Sequence, residues 1–184
     1  AIAPGTMASN RQPTLAVDEE LTLRPFSFAD VGRVIEAFED PAIRHWHAQR
    51  IDSPIEAREW IGYRHRLWLV EKCADFAVVD PSGRVLGRVA VYTEFVGGTG
   101  EVGYWVLPDA RGRGVARRAA AGATRWAHET LGLHRIVLEH AVDNVASCAV
   151  ARAIGYELEG TARALQLLAD GRHDVHIHAH LADR

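Results

Sequence analysis

The chain has 184 residues, 48% of them hydrophobic and 24% charged, with a formal net charge of −3. That length suits one domain with a core of its own, and the slightly acidic balance speaks against a large basic surface and nucleic acid as main partner. No run of about 18 apolar residues offers a membrane span, no secretion signal opens the chain, and the two cysteines, Cys73 and Cys148, read as reduced thiols of a cytoplasmic protein.

Residues 1–20 mix Pro, Gly, Ser, Thr and Asn without periodicity and are expected to be flexible. Met7 is the sole methionine, so residues 1–6 read as partly left over from cloning. Residues 21–184 are expected to form the single domain. Leu21–Pro25 is expected to be a short first strand. Ser27-Phe28-Ala29-Asp30 has the form of a capping box before a helix with Val31, Val34, Ile35 and Phe38 on one face. Asp40-Pro41 is expected to stop that helix, and residues 43–52, with His45, Trp46 and His47, to be a loop. Ser53-Pro54-Ile55-Glu56 starts another helix, running to about Val70. Ala74–Val79, the turn Asp80-Pro81-Ser82-Gly83 and Val85–Phe95 read as a hairpin. A glycine-rich link leads to a third strand, giving an antiparallel meander.

That third strand, Val102–Leu107, opens the stretch on which the chain turns. Pro108-Asp109 ends it, Arg111-Gly112-Arg113-Gly114 follows, and an alanine-rich helix begins at Val115. Strand, glycine-rich turn and helix hold an anion well. The first amides of a helix lack partners, the helix dipole is positive there, and arginines add charge-assisted donors. The nucleotide P-loop needs Gly-Lys-Ser/Thr, but Gly114 precedes Val115. The dinucleotide fingerprint needs a third glycine where this chain has Arg117. The pattern present is Arg-x-x-Gly-x-Ala at Arg111, Gly114 and Ala116.

The alanine-rich helix ends near Leu131-Gly132, and Arg135–Ala141 is the next strand. A strand, crossover helix and strand of this length predict that 102–107 and 135–141 are parallel neighbours. Asn144-x-x-Ser147 then starts a short helix that Gly155-Tyr156 closes. In the tail, Asp174, His176, His178 and His180 alternate with Val175, Ile177, Ala179 and Leu181, a strand with imidazoles on one face.

The Arg-x-x-Gly-x-Ala loop and the Asn144–Tyr156 block together resemble the two signatures of the GNAT superfamily of N-acetyltransferases. Glu101-Val102-Gly103-Tyr104-Trp105 and the ending Glu159-Gly160-x-x-Arg163…Asp170-Gly171-Arg172-x-Asp174 are similar to its ribosomal-protein N-terminal acetyltransferase (Rim-type) subgroup. The resemblance runs from about Leu21 to Leu181. It implies an α/β (α+β) GNAT fold: a mixed, mostly antiparallel, splayed central sheet flanked by helices, with the pantetheine arm of acetyl-CoA, the cosubstrate, entering the splay. It places the CoA pyrophosphate on Arg111, Gly112, Arg113, Gly114, Val115 and Ala116, with the Val106 amide as oxyanion donor. Asn144 bonds the pantetheine or caps its helix.

Direct transfer to an amine needs a proton acceptor and a donor to the leaving thiolate. Glu101 is the candidate base, against a solvated strand-start glutamate. Ser147 is the candidate donor, against a helix-start hydroxyl. Region 43–52 would lie over the acceptor groove, its His45, Trp46 and His47 touching substrate or only packing. Cys148 reads as a small buried residue. Three tail histidines could bind zinc, but zinc ligands usually converge from several elements and the family needs none, so no metal is expected. The resemblance thus implies an N-acetyltransferase acting on a protein N-terminus or small-molecule amine. Alternatives are a larger acyl donor such as succinyl-CoA, and a non-catalytic CoA-binding domain. No nucleic acid or membrane partner is expected, and homodimerisation stays open.

Overall fold

One sheet carries every strand among the described residues, 3–47 and 49–182, of the computed structural model. Its strands are β1 (Leu15–Ala16), β2 (Thr22–Pro25), β3 (Cys73–Val79), β4 (Val85–Glu94), β5 (Thr99–Val106), β6 (Arg135–Ala141), β7 (Glu157–Leu168) and β8 (Gly171–Leu181), in the order β1-β2-β3-β4-β5-β6-β8-β7. Five helices cover it: α1 (Val31–Glu39), α2 (Pro41–His47), α3 (Pro54–Leu69), α4 (Val115–Glu129) and α5 (Val145–Ala153).

All neighbouring strands are antiparallel except β5 and β6. These two run parallel, as the crossover predicts, but pair only at Thr99–Arg135, Gly100–Ile136 and Glu101–Val137. Beyond Glu101, β5 stays with β4 out to Val106, and β6 stays with β8 out to Ala141. Each strand follows its outer partner, so the sheet opens into a V. The paired stretch 99–101 lies upstream of the residues the sequence singled out, because the strand begins at Thr99 rather than Val102.

Strand alternation distributes β5 between two cores. Val102 packs with Val89, Val91, Ile136 and Leu138 against the buried alanines 119, 120, 123 and 127 of α4. Their small side chains let α4 lie close to the sheet. Trp105 and Leu107 face the other way, into Phe26, Phe38, Trp60 and Ile61 beneath α1 and α3. Phe26 meets Trp60 edge-on at 5.1 Å between ring centroids, a favoured aromatic arrangement.

Two expectations fail. Asp40-Pro41 ends α1 but also starts α2. The Asp40 carboxylate accepts from the Ile43 amide at 2.9 Å, and Pro41 takes the first helical position, where no N–H is needed. His45, Trp46 and His47 are therefore helical, not in a loop. Residues 3–20, read as flexible, are folded onto the domain. Met7 is fully buried in the α4-side core and Leu15–Ala16 extends the sheet. The Glu71 carboxylate accepts from the amides of Gly5, Met7 and Ala8 at 2.8, 2.7 and 3.2 Å. Composition could not reveal partners that lie about sixty residues away.

Candidate active site

The V between β5 and β6 contains two connected cavities. The larger, about 480 Å³, runs from the 111–117 loop along Val106 to Asn144, Ser147 and Val150 at the start of α5. The smaller, about 200 Å³, is lined by Glu101, Glu139, His140, Tyr92 and Arg88. Trp46, His47, Tyr104, Asn144 and Ser147 line both and mark their junction.

The loop supports an anion through its backbone. Gly112 and Gly114 have φ of +74° and +70°, a region costly to other L-residues, and Gly114 caps α4. A Cβ at Gly112 would meet no heavy atom within 4 Å, so the glycine answers to the dihedral there and leaves open space for a ligand. The first helical bond runs from the Arg118 amide to the Gly114 carbonyl, and the amides before it have no partner in the helix. Arg111 is committed within the protein: its guanidinium holds Asp40 at 2.6 Å and the Val106 carbonyl at 3.1 Å. Arg113 and Arg117 are exposed, and neither guanidinium makes a hydrogen bond or ion pair among the described residues. Arg117, passed over in the sequence because it marks a missing glycine, lines the larger cavity; Arg113 does not.

Along β5, the Leu107 amide donates to Leu86 of β4. Backbone groups alternate in direction, so the Val106 amide points the other way, into the V. Ser147 stands on the first turn of α5, its amide donating to the Asn144 side chain at 3.1 Å. Asn144 therefore does cap its helix while lining the cleft. The Tyr104 hydroxyl donates to Ser147 Oγ at 3.1 Å. Burial pushes the Tyr104 phenol up to about 12, so it stays protonated and a donor. Tyr104 was legible only as an apolar strand residue; its hydrogen bond spans 43 positions.

Glu101 projects from the opposite face of β5, paired with Tyr92 of β4. It is exposed to the smaller cavity. Burial, then the nearby Glu139 carboxylate, raises its pKa above the usual carboxylate range. The other strong charge, Arg88, is answered by Asp75 at 2.8 and 2.5 Å, so the pocket is net acidic. His47 is held neutral: burial and then Arg88 lower it to about 4, against the favourable Tyr104 carbonyl. Trp46 and His47 thus face the cleft, whereas His45 turns toward Asp170, 3.9 Å away.

The sequence also missed a convergence at the far end of β6. His140 lies opposite His176 in the β6–β8 register, with His178 beside them and Cys148 above on α5. Burial lowers the pKa of both His140 and His178, so these rings are neutral.

A parallel strand pair splayed over a glycine-rich helix start, with two hydroxyls at the junction and a carboxylate across the gap, is an arrangement that suits an acyl-CoA-dependent N-acyltransferase. A family model, "Acetyltransferase (GNAT) domain", matches residues 20–157. The chain belongs to this family of GNAT acetyltransferases, which move an acetyl group from acetyl-CoA to an amine. It is 31% identical over 155 residues, 82% of the chain and 85% of the relative, to the Putative ribosomal N-acetyltransferase YdaF of Bacillus subtilis (strain 168). It is 32% identical over 85 residues, 46% of the chain and 48% of the relative, to the ribosomal-protein-serine acetyltransferase of Escherichia coli (strain K12). The solved RimL L7/L12 alpha-N-protein acetyltransferase with coenzyme A superposes with a TM-score of 0.86 at 21% identity, over 93% of this chain and 99% of that one. At that identity the likeness is one of fold.

Proposed function

We propose that the acceptor is the α-amine of a protein N-terminus, with Glu101 as proton acceptor and Ser147, backed by Tyr104, as donor to the departing thiolate. The single observation that carries this reading is the meeting of two cavities at Tyr104 and Ser147, with Glu101 on the far side. The acceptor cavity, about 200 Å³, is below the roughly 300–1,000 Å³ of pockets that enclose whole drug-sized ligands. It suits the narrow end of a chain that remains outside. An acidic pocket suits an entering ammonium, and the relatives' names point to ribosomal proteins.

Acetyl-CoA lies along the larger cavity, its pyrophosphate against the amides of 112–116 and the free Arg113 and Arg117. The ammonium enters between Glu101 and Glu139. Its positive charge offsets their repulsion and readies Glu101 to take the proton, directly or through water. The free amine attacks the thioester carbonyl, whose oxygen receives the Val106 amide. As the tetrahedral intermediate collapses, the sulfur leaves with its electron pair toward Ser147 Oγ. Tyr104 donates to that same oxygen, which leaves the serine proton free for the thiolate. Two unpaired cysteines and the absence, among the described residues, of a helix long and apolar enough to cross a membrane accord with a cytoplasmic enzyme.

The test is acetyl-CoA turnover on N-terminal peptides and on small amines, for wild type, Glu101→Gln, Ser147→Ala and Tyr104→Phe. Peptides should be preferred, and Glu101→Gln and Ser147→Ala should each lower kcat by about 10²–10⁴-fold with acetyl-CoA affinity nearly unchanged. The acid limb should lie above the ordinary carboxylate range. Glu101→Gln should recover partly at high pH, where free amine is abundant; Ser147→Ala should not. Full turnover by Glu101→Gln across pH would remove Glu101 from the reaction, and preference for small amines would overturn the acceptor.

A further inference from the structure

We propose that His140, Cys148, His176 and His178 form a binding site for a borderline-soft divalent cation such as Zn(II), fastening α5 to the β6–β8 pair. One ligand atom from each of the four lies within 4.8 Å of all the others. The objection that one strand face rarely makes a zinc site does not hold, because three elements converge: β6 gives His140, β8 gives His176 and His178, and α5 gives Cys148.

The spacing is close to what the ion requires. Zn–N bonds of about 2.0–2.1 Å and Zn–S bonds of about 2.3 Å, arranged tetrahedrally, put ligand nitrogens about 3.3 Å apart and sulfur about 3.6 Å from nitrogen. Here His140 Nε2 and His178 Nε2 are 3.2 Å apart, and Cys148 Sγ is 4.0 Å from His178 Nε2. Closing the set takes side-chain movements of about 1 Å.

Proton placement points the same way. His140 Nδ1 lies 2.8 Å from the Ala141 carbonyl. A carbonyl oxygen only accepts, so the proton of the neutral ring sits on Nδ1 and Nε2 is a bare lone pair. Without an ion, His178 must then donate its only proton from Nε2 to His140. That leaves its Nδ1 lone pair fully buried and without a hydrogen-bond partner. A cation between the two Nε2 atoms accepts both lone pairs and puts each proton on Nδ1, where that of His140 meets the Ala141 carbonyl. Metal-ligating histidines are oriented this way. His176 adds a further buried, unpartnered Nδ1.

The thiolate of Cys148 supplies the one negative ligand, its proton being released on binding. Four protein ligands make a closed site that holds structure rather than activating water. Cys148 follows Ser147, and His140 lines the acceptor cavity. The ion would therefore pin the wall that carries the thiolate donor. None of this depends on the acceptor proposed above.

The test uses the full chain, free of any histidine tag and reduced with a phosphine. Zn(II) should bind at one ion per chain by calorimetry and raise Tm by about 5–10 °C at a hundredfold excess over Kd. Co(II) should give the intense visible bands of a tetrahedral site and a thiolate-to-cobalt charge-transfer band in the near ultraviolet. Cys148→Ser should abolish that band. Both Cys148→Ser and His176→Gln, partly exposed positions where folding is not at risk, should weaken Zn(II) binding by at least about 10–100-fold. Failure to bind one Zn(II), an octahedral Co(II) spectrum, or binding that survives both substitutions would overturn the site.

Discussion

Glu101 and Ser147 stand on opposite faces of the sheet, and the reaction proposed for them needs the sheet to be open between them, as it is beyond residue 101. The Ser147 side is built to donate: two hydroxyls and a helix start aim at one point. The Glu101 side is built to be uncomfortable. Its carboxylate is crowded by protein and by Glu139, which raises its pKa. A raised carboxylate pKa means that the folded state binds its proton more tightly than the unfolded chain does. The stability tied to that proton is present below the unfolded pKa and lost as pH rises through the folded value. Ionised Glu101 thus opposes folding near neutrality, a cost of the kind active sites carry. Glu101→Gln should accordingly raise Tm at pH 7, and the gain should vanish as the pH falls through the folded pKa, where the wild-type residue is already neutral. Differential scanning calorimetry at both pH values measures this. A gain that stayed constant with pH would mean that packing, not charge, is responsible.

At the scale of elements, the 111–117 loop separates two roles that the sequence presents as one. Gly114 serves the backbone, with φ of +70° at the cap of α4, whereas Arg113 has only its charge to offer. Gly114→Ala should cost roughly 1–2 kcal/mol in stability by chemical denaturation and also weaken CoA binding, since it distorts the amides at the helix start. Arg113→Ala should leave stability unchanged and reduce CoA affinity by about tenfold at low salt, the loss shrinking as salt screens the pyrophosphate. An Arg113→Ala protein that bound CoA as the wild type does would remove Arg113 from the phosphate contacts and leave them to the amides and Arg117. The loop was legible in advance because its requirements are local: dihedrals at two glycines, a helix start, short-range donors. The strands β2, β3, β4, β6 and β8 and the parallel crossover were legible from comparably short patterns. Arg111's tie to Asp40, Tyr104's bond to Ser147 and the gathering of His140 and Cys148 with the tail histidines span 71, 43 and about thirty positions. No periodicity carries that information. The helix at 41–47 was missed differently: Asp-Pro can end one helix and begin the next, and only packing decides.

For the molecule as a whole, residues 3–20 matter more than their composition suggests. Met7 fills the α4-side core, Trp68 Nε1 donates to the Asn10 carbonyl at 2.9 Å, and Gln12 donates to the Asp75 carbonyl at 2.7 Å. Glu71 gathers three amides of residues 5–8, and those hydrogen bonds, Gly5 first and then Met7, lower its pKa. A lowered carboxylate pKa reverses the sign found at Glu101: its contribution is present above the unfolded value and lost as pH falls through the folded one. The residues 5–8 that Glu71 gathers should therefore loosen in acid before the sheet unfolds. Hydrogen exchange at the Met7 and Ala8 amides should accelerate in that window while the β3 and β4 amides stay protected. Glu71→Gln, with one acceptor oxygen and no charge, should show the faster exchange already at neutral pH. Met7→Ala should cost about 2–5 kcal/mol, because its side chain is fully buried in the core. Uniform acceleration across sheet and segment would show instead that the N-terminal residues unfold only with the whole domain.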